Sequence, residues 1–579
     1  MIRKTIRQML AAQVLSALTV SLCLLIDNMM IGNFIGVGGL SAYGLASPLL
    51  ILVGAVATML SAGVQVVCSG SLAKGDTAET NRGYSSAIGL ATVVSAAVMV
   101  LVLLLRDPLV SILGARGQST LHTDTSNYLL GFVIGALPTM GALILVPFLQ
   151  MAGQSRLLIF AVLGMTVTDI GLDYLFSVVL GWGMLGMGLA SSISYYVAFI
   201  IGGRYFISKK CVFKFSIKGV SVRKMLQLLK AGIPTIVNMA TSVAFTFVLN
   251  RLLLHHGGHE GLAVAAYSVV NTLGGAANCI SSGAGGVALT LSSMFYHEED
   301  HTGLKDELSA LIRYSIVMGV FMTVFISLVT PMLVGLFLPE AGDSRTMAEL
   351  GMRWYAIGLT FCCINNAIRG TWQGCKRVAR TEITSILEGF LFPTSAAFVL
   401  SAFSMDYIWM FFLVGELLTL VLIWLYTGHQ KKSLVPKADT LLMLPADFGV
   451  APEDLIEADC SCLTDVMNAA AAASEFCLSH GQTQLIANRV SLCIEEMGTN
   501  TIHYGFVDGK KHHLNIRVQH KGERWILRFR DDCHAFDPMS HIPSGEGTDN
   551  LGIRVLMGMS KDIRYTYSLN LNNLTIVIG

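Results

Sequence analysis

The sequence predicts two parts: an all-α bundle of membrane-spanning helices and, after it, a smaller α+β domain. Three observations lead to this prediction. Hydrophobic residues make up 53% and charged residues only 13% of the 579 residues, whereas an ordinary soluble protein has about 25% charged residues. Twelve apolar segments are long enough to cross a bilayer, which takes about 20 residues each. After residue 440 these segments give way to amphipathic helices and alternating strands.

The apolar segments fall into two groups of six that resemble each other weakly. Gly39–Tyr43 (GLSAY) in the first group has a counterpart in Gly261–Tyr267 (GLAVAAY) in the second. Weak symmetry of this kind is typical of secondary transporters, although small residues recur in any packed membrane bundle. We therefore predict two six-helix lobes. The predicted spans are 10–35, 45–72, 84–105, 126–150, 157–180, 184–207, 233–256, 261–294, 311–338, 350–375, 382–403 and 405–427.

The charges of the loops predict the orientation of the bundle. If the N-terminus is cytosolic, the even-numbered loops are cytosolic too and carry most of the lysine and arginine, as the positive-inside rule requires. The opposite loops carry only Arg106, Arg116, Arg345 and Arg353. We expect a multi-pass protein of the cytoplasmic membrane with both termini in the cytosol. The basic residues on the cytosolic side are Lys74, Arg82, Arg156, Lys209, Lys210, Lys214, Lys218, Arg223, Lys224, Lys230, Lys376, Arg377, Arg380, Lys431, Lys432 and Lys437.

The two parts also differ in charge. Residues 1–440 include 28 basic and 21 acidic residues, and residues 441–579 include 11 and 17. Neither part has the basic patch with interleaved aromatic residues that marks a nucleic-acid binder, so no such partner is expected. The scattered cysteines are expected to be reduced thiols. The predicted units are an N-terminal lobe (1–207), a cytosolic linker (208–232), a C-terminal lobe (233–430), a second linker (431–440) and the soluble domain (441–579).

Three carboxylates of the N-terminal lobe lie inside predicted spans, where an uncompensated charge is costly and is a functional candidate by default. Asp27 follows an uncharged run from Leu10 to Ile26. Asp169 and Asp173 are four residues apart and share one helix face. Two like charges so close suit a group that takes up and releases a proton, and their oxygens equally suit a cation such as Na⁺. The alternatives are a place near the outer interface for Asp27 and a solvated cavity wall for the pair.

These residues resemble the signatures of the multidrug and toxic compound extrusion (MATE) family. Asp27–Gly32 (DNMMIG), followed by Gly39–Tyr43, resembles the family's first-helix signature. Asp169–Tyr174 (DIGLDY) with Gly181–Ala190 (GWGMLGMGLA) is similar to the family pattern N-x-x-L-D … G-W-G-x-x-G-x-x-x-A. The resemblance covers residues 10–430. It implies two six-helix lobes, antiport of a small organic substrate against H⁺ or Na⁺, and a cation site in the N-terminal lobe.

The chain departs from the family pattern at several polar positions. Asp27 and Asp173 match the family's acidic positions, whereas Asp169 stands where the family usually has asparagine. In the seventh and tenth spans, Asn250 and the pair Asn365–Asn366 stand near positions where some members have acids. These departures argue against a cation site in the C-terminal lobe and leave H⁺ versus Na⁺ open. Two further acids within spans are expected to be paired inside the bundle, Glu388 and Glu416.

The soluble domain is predicted to be an α+β sandwich. Residues 464–480 and 484–502 have the periodicity of amphipathic helices, and 514–518, 525–529 and 574–578 alternate as strands do. The sequence has no G-x-x-x-x-G-K-[ST] motif, which excludes a P-loop motor.

Several polar residues of this domain suit nucleotide chemistry. Glu496 and Asn500 are four residues apart on a predicted helix, so a carboxylate suited to a water or hydroxyl and an amide oxygen suited to Mg²⁺ share a face. Asp531 directly follows a strand, where a buried carboxylate can accept a hydrogen bond from an exocyclic amine. Glycines ahead of a helix let backbone N–H groups approach phosphate. The glycines in question are Gly545, Gly547 and Gly552.

This order of residues resembles the GHKL ATP-binding fold, and within it the anti-sigma-factor serine kinases. Their usual D-D-G-x-x-F-D-P is similar to residues 531–538 (DDCHAFDP). The resemblance implies ATP and Mg²⁺ as cofactors, Glu496 as general base, Asn500 as Mg²⁺ ligand, Asp531 as adenine reader, and the three glycines as phosphate-loop positions. Cys533 replaces the family's glycine beside the adenine pocket. ATP binding without turnover, and a degenerate domain that binds nothing, are the alternatives.

Together these patterns predict a cation-coupled antiporter that exports small organic molecules. Its expected partners are that substrate and membrane lipid. The cytosolic domain, which would be regulatory or serine-kinase-like, is expected to act on a protein partner. Two other functions stay open: a membrane-tethered signalling kinase with a non-transporting sensor bundle, and a flippase for lipid-linked cargo.

Overall fold

The structure is a computed structural model that describes most of the chain. The bundle and the C-terminal domain are both described, with short gaps between elements and one longer gap inside the domain. The described residues are 2–35, 37–112, 119–208, 211–256, 262–338, 342–432, 437–445, 448–507, 511–538, 556–569 and 571–579.

The described part of the bundle is helical throughout. Helices α1–α17 form the bundle, α18 follows it, and α19 and α20 belong to the soluble domain. The helices are α1 Ile2–Met30, α2 Val37–Ala73, α3 Thr77–Leu104, α4 Arg106–Ile112, α5 Ser119–Val133, α6 Ala136–Met151, α7 Ser155–Tyr174, α8 Gly183–Ile207, α9 Val222–His256, α10 Leu262–Ala277, α11 Cys279–His297, α12 His301–Phe337, α13 Asp343–Gly374, α14 Val378–Ile386, α15 Phe392–Ser401, α16 Met405–Ile408, α17 Phe411–Lys431, α18 Ala438–Leu442, α19 Leu463–Ser479 and α20 Gln484–Asn500.

The described residues of every predicted span are helical apart from short turns. Among the described residues, eight helical units are long and apolar enough to cross a membrane, and the bent pair α5–α6 would make nine. The other predicted spans are occupied by α1, by α10 with α11, and by α13. The membrane-spanning helical fold is thus established, while the total of twelve spans stays a prediction. The eight units are α2, α3, α7, α8, α9, α12, α14 with α15, and α17.

Three bundle helices are interrupted by a π-helical turn. These turns are Ile31–Ile35 after α1, Leu175–Val179 after α7, and Leu387–Leu391 between α14 and α15. Such turns in helices are frequent at functional sites. The first two directly follow the helices that carry Asp27 and Asp173.

The glycines of the quoted motif have two structural roles. Gly181 and Gly183 have φ angles of 65° and 55°, which glycine adopts without strain, and they form the turn from α7 to α8. Gly188 lies where α8 crosses α5, and a Cβ added there would overlap the carbonyl oxygen of Tyr128. The motif therefore builds a tight turn and a close helix crossing in the N-terminal lobe.

The segment that precedes α9 is attached to the N-terminal lobe. Helix α9 begins at Val222, inside the predicted linker 208–232. The preceding residues lie along α3, where the backbone N–H groups of Lys214 and Ser216 donate to Asn81 Oδ1 and Ser85 Oγ at 2.8 and 3.0 Å. The linker is thus anchored on the N-terminal lobe.

The soluble domain is a five-stranded antiparallel sheet with the strand order β1-β2-β3-β5-β4. Alternate residues of β2, β3 and β5 point toward α19 and α20, and side chains such as Trp525, Leu527 and Phe529 form its core with them. The predicted helices and three predicted strands are confirmed. Two edge strands, β1 and β4, were not predicted from the sequence. The strands are β1 Leu455–Cys460, β2 Leu514–Lys521, β3 Arg524–Asp531, β4 Asp562–Ser568 and β5 Leu571–Ile578.

The other face of the sheet lies against one end of the bundle. In the N-terminal lobe, Arg564 of β4 donates from Nη1 to the carbonyl oxygen of Lys74 at 3.2 Å. The backbone N–H of Leu569 donates to the carbonyl oxygen of Met151 at 2.9 Å. These contacts use the loops after α2 and after α6, so the domain is docked directly on the bundle.

Candidate functional site

Three predicted acids of the N-terminal lobe come together in the structure. Asp27 on α1 and Asp169 and Asp173 on α7 are buried, and one carboxylate oxygen from each lies within 4.8 Å of the others. The spacing of four residues places Asp169 and Asp173 on one face of α7, and the packing of α1 against α7 brings Asp27 to that face. The structure thus gathers residues from distant parts of the chain at one point.

The geometry of this acid cluster fits a cation. Asp27 Oδ1 and both carboxylate oxygens of Asp173 have no hydrogen-bond partner among the described residues. Buried carboxylates cannot all remain ionised at this distance unless a cation compensates them. A shared proton, or a hard cation held by oxygen ligands, would meet that requirement.

The C-terminal lobe contains a second buried acid cluster. Donor atoms of Cys362, Glu388 and Glu416 lie within 4.8 Å of one another. Glu388 Oε2 is 2.8 Å from Arg369 Nη1, and Asn365 Nδ2 donates to Glu416 Oε2 at 2.8 Å. Both acids therefore have the partners inside the bundle that the sequence analysis expected.

The soluble domain places its candidate residues at one end of the sheet. Glu496 and Asn500 are half-buried on the last two turns of α20. A π-helical turn follows, Thr501–Gly505, and a Cβ added to Gly505 would lie 2.7 Å from Cys533 Sγ. The end of α20 therefore lies beside the loop that follows β3.

Asp531 ends β3 and is buried. Its Oδ1 accepts hydrogen bonds from Asn572 Nδ2 at 2.7 Å and from the backbone N–H of Cys533 at 3.0 Å. Burial raises the pKa of Asp531, although these hydrogen bonds act in the opposite direction. Asn572 Oδ1 also accepts from Tyr565 at 2.6 Å. The carboxylate is thus held in one orientation by a network that the sequence analysis missed.

The remaining predicted residues cannot be placed. Gly545, Gly547 and Gly552 lie outside the described residues. The cysteines that the structure describes are free thiols, as expected. The donor chemistry of Glu496, Asn500 and Asp531 fits a nucleotide with Mg²⁺, because it combines an amide oxygen for the metal with a buried carboxylate for an exocyclic amine.

The residues that join the two parts of the protein were not predicted from the sequence. The loop between α11 and α12 carries Glu298 and Asp300, and both are buried against the outer face of the sheet. Arg530 Nη2 lies 2.5 Å from Glu298 Oε2, and Arg517 Nη1 lies 2.5 Å from Asp300 Oδ1. Arg528 Nη2 donates to the backbone oxygen of Glu298 at 2.9 Å. The sequence does contain two features of this contact. Arginines occupy the polar face of β2 and β3, and the acidic run at 298–300 lies in a loop predicted to be on the cytosolic side of the membrane, where the soluble domain is also predicted to be.

Comparison with known proteins assigns a family to each part. The MatE family model matches residues 13–175 and 234–393, more than half of the chain. The model of the histidine kinase-like ATPase domain matches residues 461–578. No curated protein is similar enough in sequence to count as a match.

Several solved structures share the fold of the bundle. A crystal structure of MATE in complex with MaL6 has a TM-score of 0.68 and 17% sequence identity, over 74% of this chain and 96% of that chain. An outward-facing multidrug resistance MATE family transporter of the MOP superfamily has a TM-score of 0.67 at 17% identity, with the same coverage. A variant of the Vibrio cholerae MATE transporter VcmN has a TM-score of 0.66 at 17% identity, over 74% and 97% of the two chains.

The two lines of comparison agree with the geometry of the chain. The matched family segments cover the helices that carry the acid cluster, and the matched ATPase segment covers Glu496, Asn500 and Asp531. The chain therefore belongs to the MatE family of membrane-spanning transporters and carries a histidine kinase-like ATPase domain after its bundle.

Proposed function

We propose that the protein is a cation-coupled antiporter that exports small organic molecules across the cytoplasmic membrane, with both termini in the cytosol. One observation carries this proposal: the convergence of Asp27, Asp169 and Asp173 inside the N-terminal lobe. A group of buried acids that must share a proton or a cation can link cation release to a change in the packing of α1 against α7. Binding of H⁺ or Na⁺ would then drive the exchange with substrate.

The experiment measures export in everted membrane vesicles, with a panel of organic dyes at a fixed ion gradient. Asp27→Asn and Asp173→Asn remove an ionisable group while keeping the shape of the side chain. We expect each to lower the initial rate at least tenfold. The matched control is Asp107→Asn, because Asp107 is an exposed acid whose Oδ1 lies 3.6 Å from Arg106 Nε. Unchanged ion-coupled export by the Asp27 variant would show that the acid cluster is not the coupling site.

We further propose that the ATPase-like domain is a GHKL-type ATP-binding domain that regulates the bundle. Asn500 would hold Mg²⁺, Asp531 would receive the adenine amine, and Glu496 would act as general base toward a water or a serine hydroxyl of a protein partner. Bound ATP supplies the phosphoryl group for any such reaction. Gly545, Gly547 and Gly552 are proposed to contact the phosphates.

The docking of the domain supports a regulatory role. It contacts the N-terminal lobe through Arg564 and Leu569, and the C-terminal lobe through Arg517 and Arg530. Alternating access requires one lobe to move against the other. A domain that is attached to both lobes at the same end must move or detach when that end opens, so its own conformation can influence transport.

Binding of labelled ATP to the full-length protein tests the proposal for the domain. Asn500→Ala is expected to weaken binding at least tenfold, and Glu496→Ala is expected to keep binding but lose any turnover. Glu495→Ala is the control. Glu495 is the adjacent residue on α20, and its carboxylate accepts a hydrogen bond from Ser491 Oγ at 3.1 Å. Equal, negligible binding by wild type and variants would show that the domain is degenerate.

A further inference from the structure

Three side chains of the soluble domain meet far from the residues assigned to nucleotide. Asp454 directly precedes β1, His480 follows α19, and His520 lies near the end of β2. Asp454 Oδ1 is 3.2 Å from His480 Nε2 and 3.7 Å from His520 Nδ1. These three atoms all lie within 4.8 Å of one another, and the side chains are partly buried.

In its neutral form, His480 would present a lone pair toward this point. Its Nδ1 lies 2.8 Å from the backbone oxygen of Phe476, at the C-terminal end of α19. A neutral ring must donate from Nδ1 to that carbonyl, so Nε2 carries the lone pair and faces Asp454 Oδ1. A backbone carbonyl that fixes the second ring nitrogen is the usual support of a metal-ligating histidine.

The second histidine is also held in place. The ring of His520 stacks on Trp525, with centroids 4.5 Å apart and an interplanar angle of 22°. Its centroid is 5.1 Å from that of His480. A proton between Asp454 and His480 would join only two of the three groups, whereas a metal ion can bind all three.

We propose that Asp454, His480 and His520 form a site for a divalent transition-metal ion of the zinc class. Two imidazole nitrogens and one carboxylate oxygen are a common zinc ligand set, and bonds of about 2.0–2.2 Å in a tetrahedron place neighbouring ligand atoms about 3.4 Å apart. The distances of 3.2 and 3.7 Å bracket that value. A water would complete the coordination.

This metal site is distinct from the nucleotide residues. Trp525 and Asp531 lie at opposite ends of β3, and six residues of strand span about 20 Å. Asp454 lies on the segment by which the chain enters the domain after leaving the bundle. A bound ion would therefore link that segment to α19 and β2 and stabilise the packing of these three elements.

The test uses the full-length protein in detergent after treatment with a chelator. Co²⁺ is titrated while the visible absorption of tetrahedral cobalt is recorded, and Zn²⁺ is then added to displace it. His480→Gln and His520→Gln are each expected to lose one bound equivalent with its absorption. The wild type, but neither variant, is expected to gain thermal stability from Zn²⁺.

The matched control is His503→Gln, because His503 is exposed and outside the cluster. It should keep the full stoichiometry. Metal ions bound at other sites would be present in all variants alike. The quantity that tests the proposal is therefore the difference between each variant and the wild type in the number of metal ions bound per protein. Asp454→Asn provides a third variant at a half-exposed position, should a histidine variant fail to fold. The same stoichiometry and spectrum in wild type and all three site variants would overturn the proposal, as would failure of the wild type to bind either ion.

Discussion

Arg517 and Asp300 form a buried ion pair that joins the soluble domain to the membrane bundle. Arg517 Nη1 lies 2.5 Å from Asp300 Oδ1, and the two side chains are only 6% and 2% exposed. One residue belongs to β2 and the other to the loop ahead of α12. Because both charges are out of water, loss of either one leaves its partner with weaker compensation, from Glu457 for Arg517 and from Arg530 for Asp300.

Arg517→Ala is therefore expected to destabilise the docked domain by about 3 kcal/mol, at the lower end of the range for a broken buried pair. Arg530 Nη1 remains 3.7 Å from Asp300 Oδ2 and compensates part of the charge. Hydrogen exchange of the loop at residues 298–300 in the full-length protein measures the effect. Lys521→Ala is the control, since the Lys521–Glu299 pair is about half exposed and such pairs contribute less than about 1 kcal/mol. Equal protection in both variants would contradict the assignment.

The same ion pair predicts how docking depends on pH. Burial raises the pKa of Asp300, but the guanidinium groups of Arg517 and Arg530 lower it more, so the net pKa is below its ordinary value. A carboxylate with a lowered pKa contributes its stabilisation above the ordinary value of about 3.9, and that stabilisation is lost as the pH falls through the lowered value.

Energy transfer between a label on the domain and a label on the bundle should thus stay constant from neutral pH to about pH 4 and decrease only below it. Asp300→Asn cannot form the charged pair, so its signal should be low already at neutral pH. If the wild type undocks well above pH 4, the interface depends on other groups.

The sequence predicts the elements of this fold much better than their assembly. Hydropathy identifies the bundle because lipid requires long apolar helices, and strict alternation identifies β2, β3 and β5 because one face of each packs on α19 and α20. The edge strands β1 and β4 (LIEADC and DIRYTYS) were missed because charged residues interrupt their apolar pattern: Glu457, Asp459 and Arg564 at exposed positions and Asp562 at a half-exposed one. Which positions of these two strands are buried depends on contacts with residues distant in the sequence, and a local pattern does not show those contacts.

The same limit applies to the sites. Asp169 and Asp173 could be grouped from their spacing alone, because helix geometry places residues four apart on one face. Their meeting with Asp27 depends on the packing of α1 on α7. The pairing of Glu298 with Arg530 joins positions 232 residues apart, and no short-range pattern connects an acidic loop with a particular strand face. Asn572, which orients Asp531, was missed for the same reason.

The close crossing of α5 and α8 predicts a strong effect of a small side chain. In Gly188→Ala the new Cβ would overlap the Tyr128 carbonyl oxygen, so the helices must separate. We expect a loss of about 1–3 kcal/mol, the usual cost of overpacking, seen as a lower unfolding temperature in detergent. Gly203→Ala on the same helix is the control, because an added Cβ there meets no atom within 4 Å. A Gly188 variant as stable as the Gly203 variant would argue against the crossing.

Asp531 predicts that nucleotide binding and stability of the empty domain respond to pH in opposite directions. Burial raises the pKa of Asp531 above its ordinary value, despite the hydrogen bonds from Asn572 and Cys533. In the role proposed for Asp531, the ionised carboxylate is the stronger acceptor for the adenine amine, so affinity for ATP should fall as the pH decreases toward the raised pKa. The empty domain carries the unfavourable buried charge at high pH, so this residue should make it more stable as the pH decreases.

Binding of labelled ATP and thermal unfolding of the empty protein are both measured between about pH 8 and pH 5. A general acid effect would lower affinity and stability together, whereas titration of Asp531 should lower affinity and raise stability. Asp531→Asn should bind at least tenfold more weakly at neutral pH and lose the pH dependence that this residue causes. Asp459→Asn, at an exposed position of β1, should behave as wild type. Asn572 Nδ2 donates to the Asp531 carboxylate at 2.7 Å, so Asn572→Ala should weaken binding as well. Its pH dependence should remain but move to higher pH, because the lost hydrogen bond lowers the pKa of Asp531.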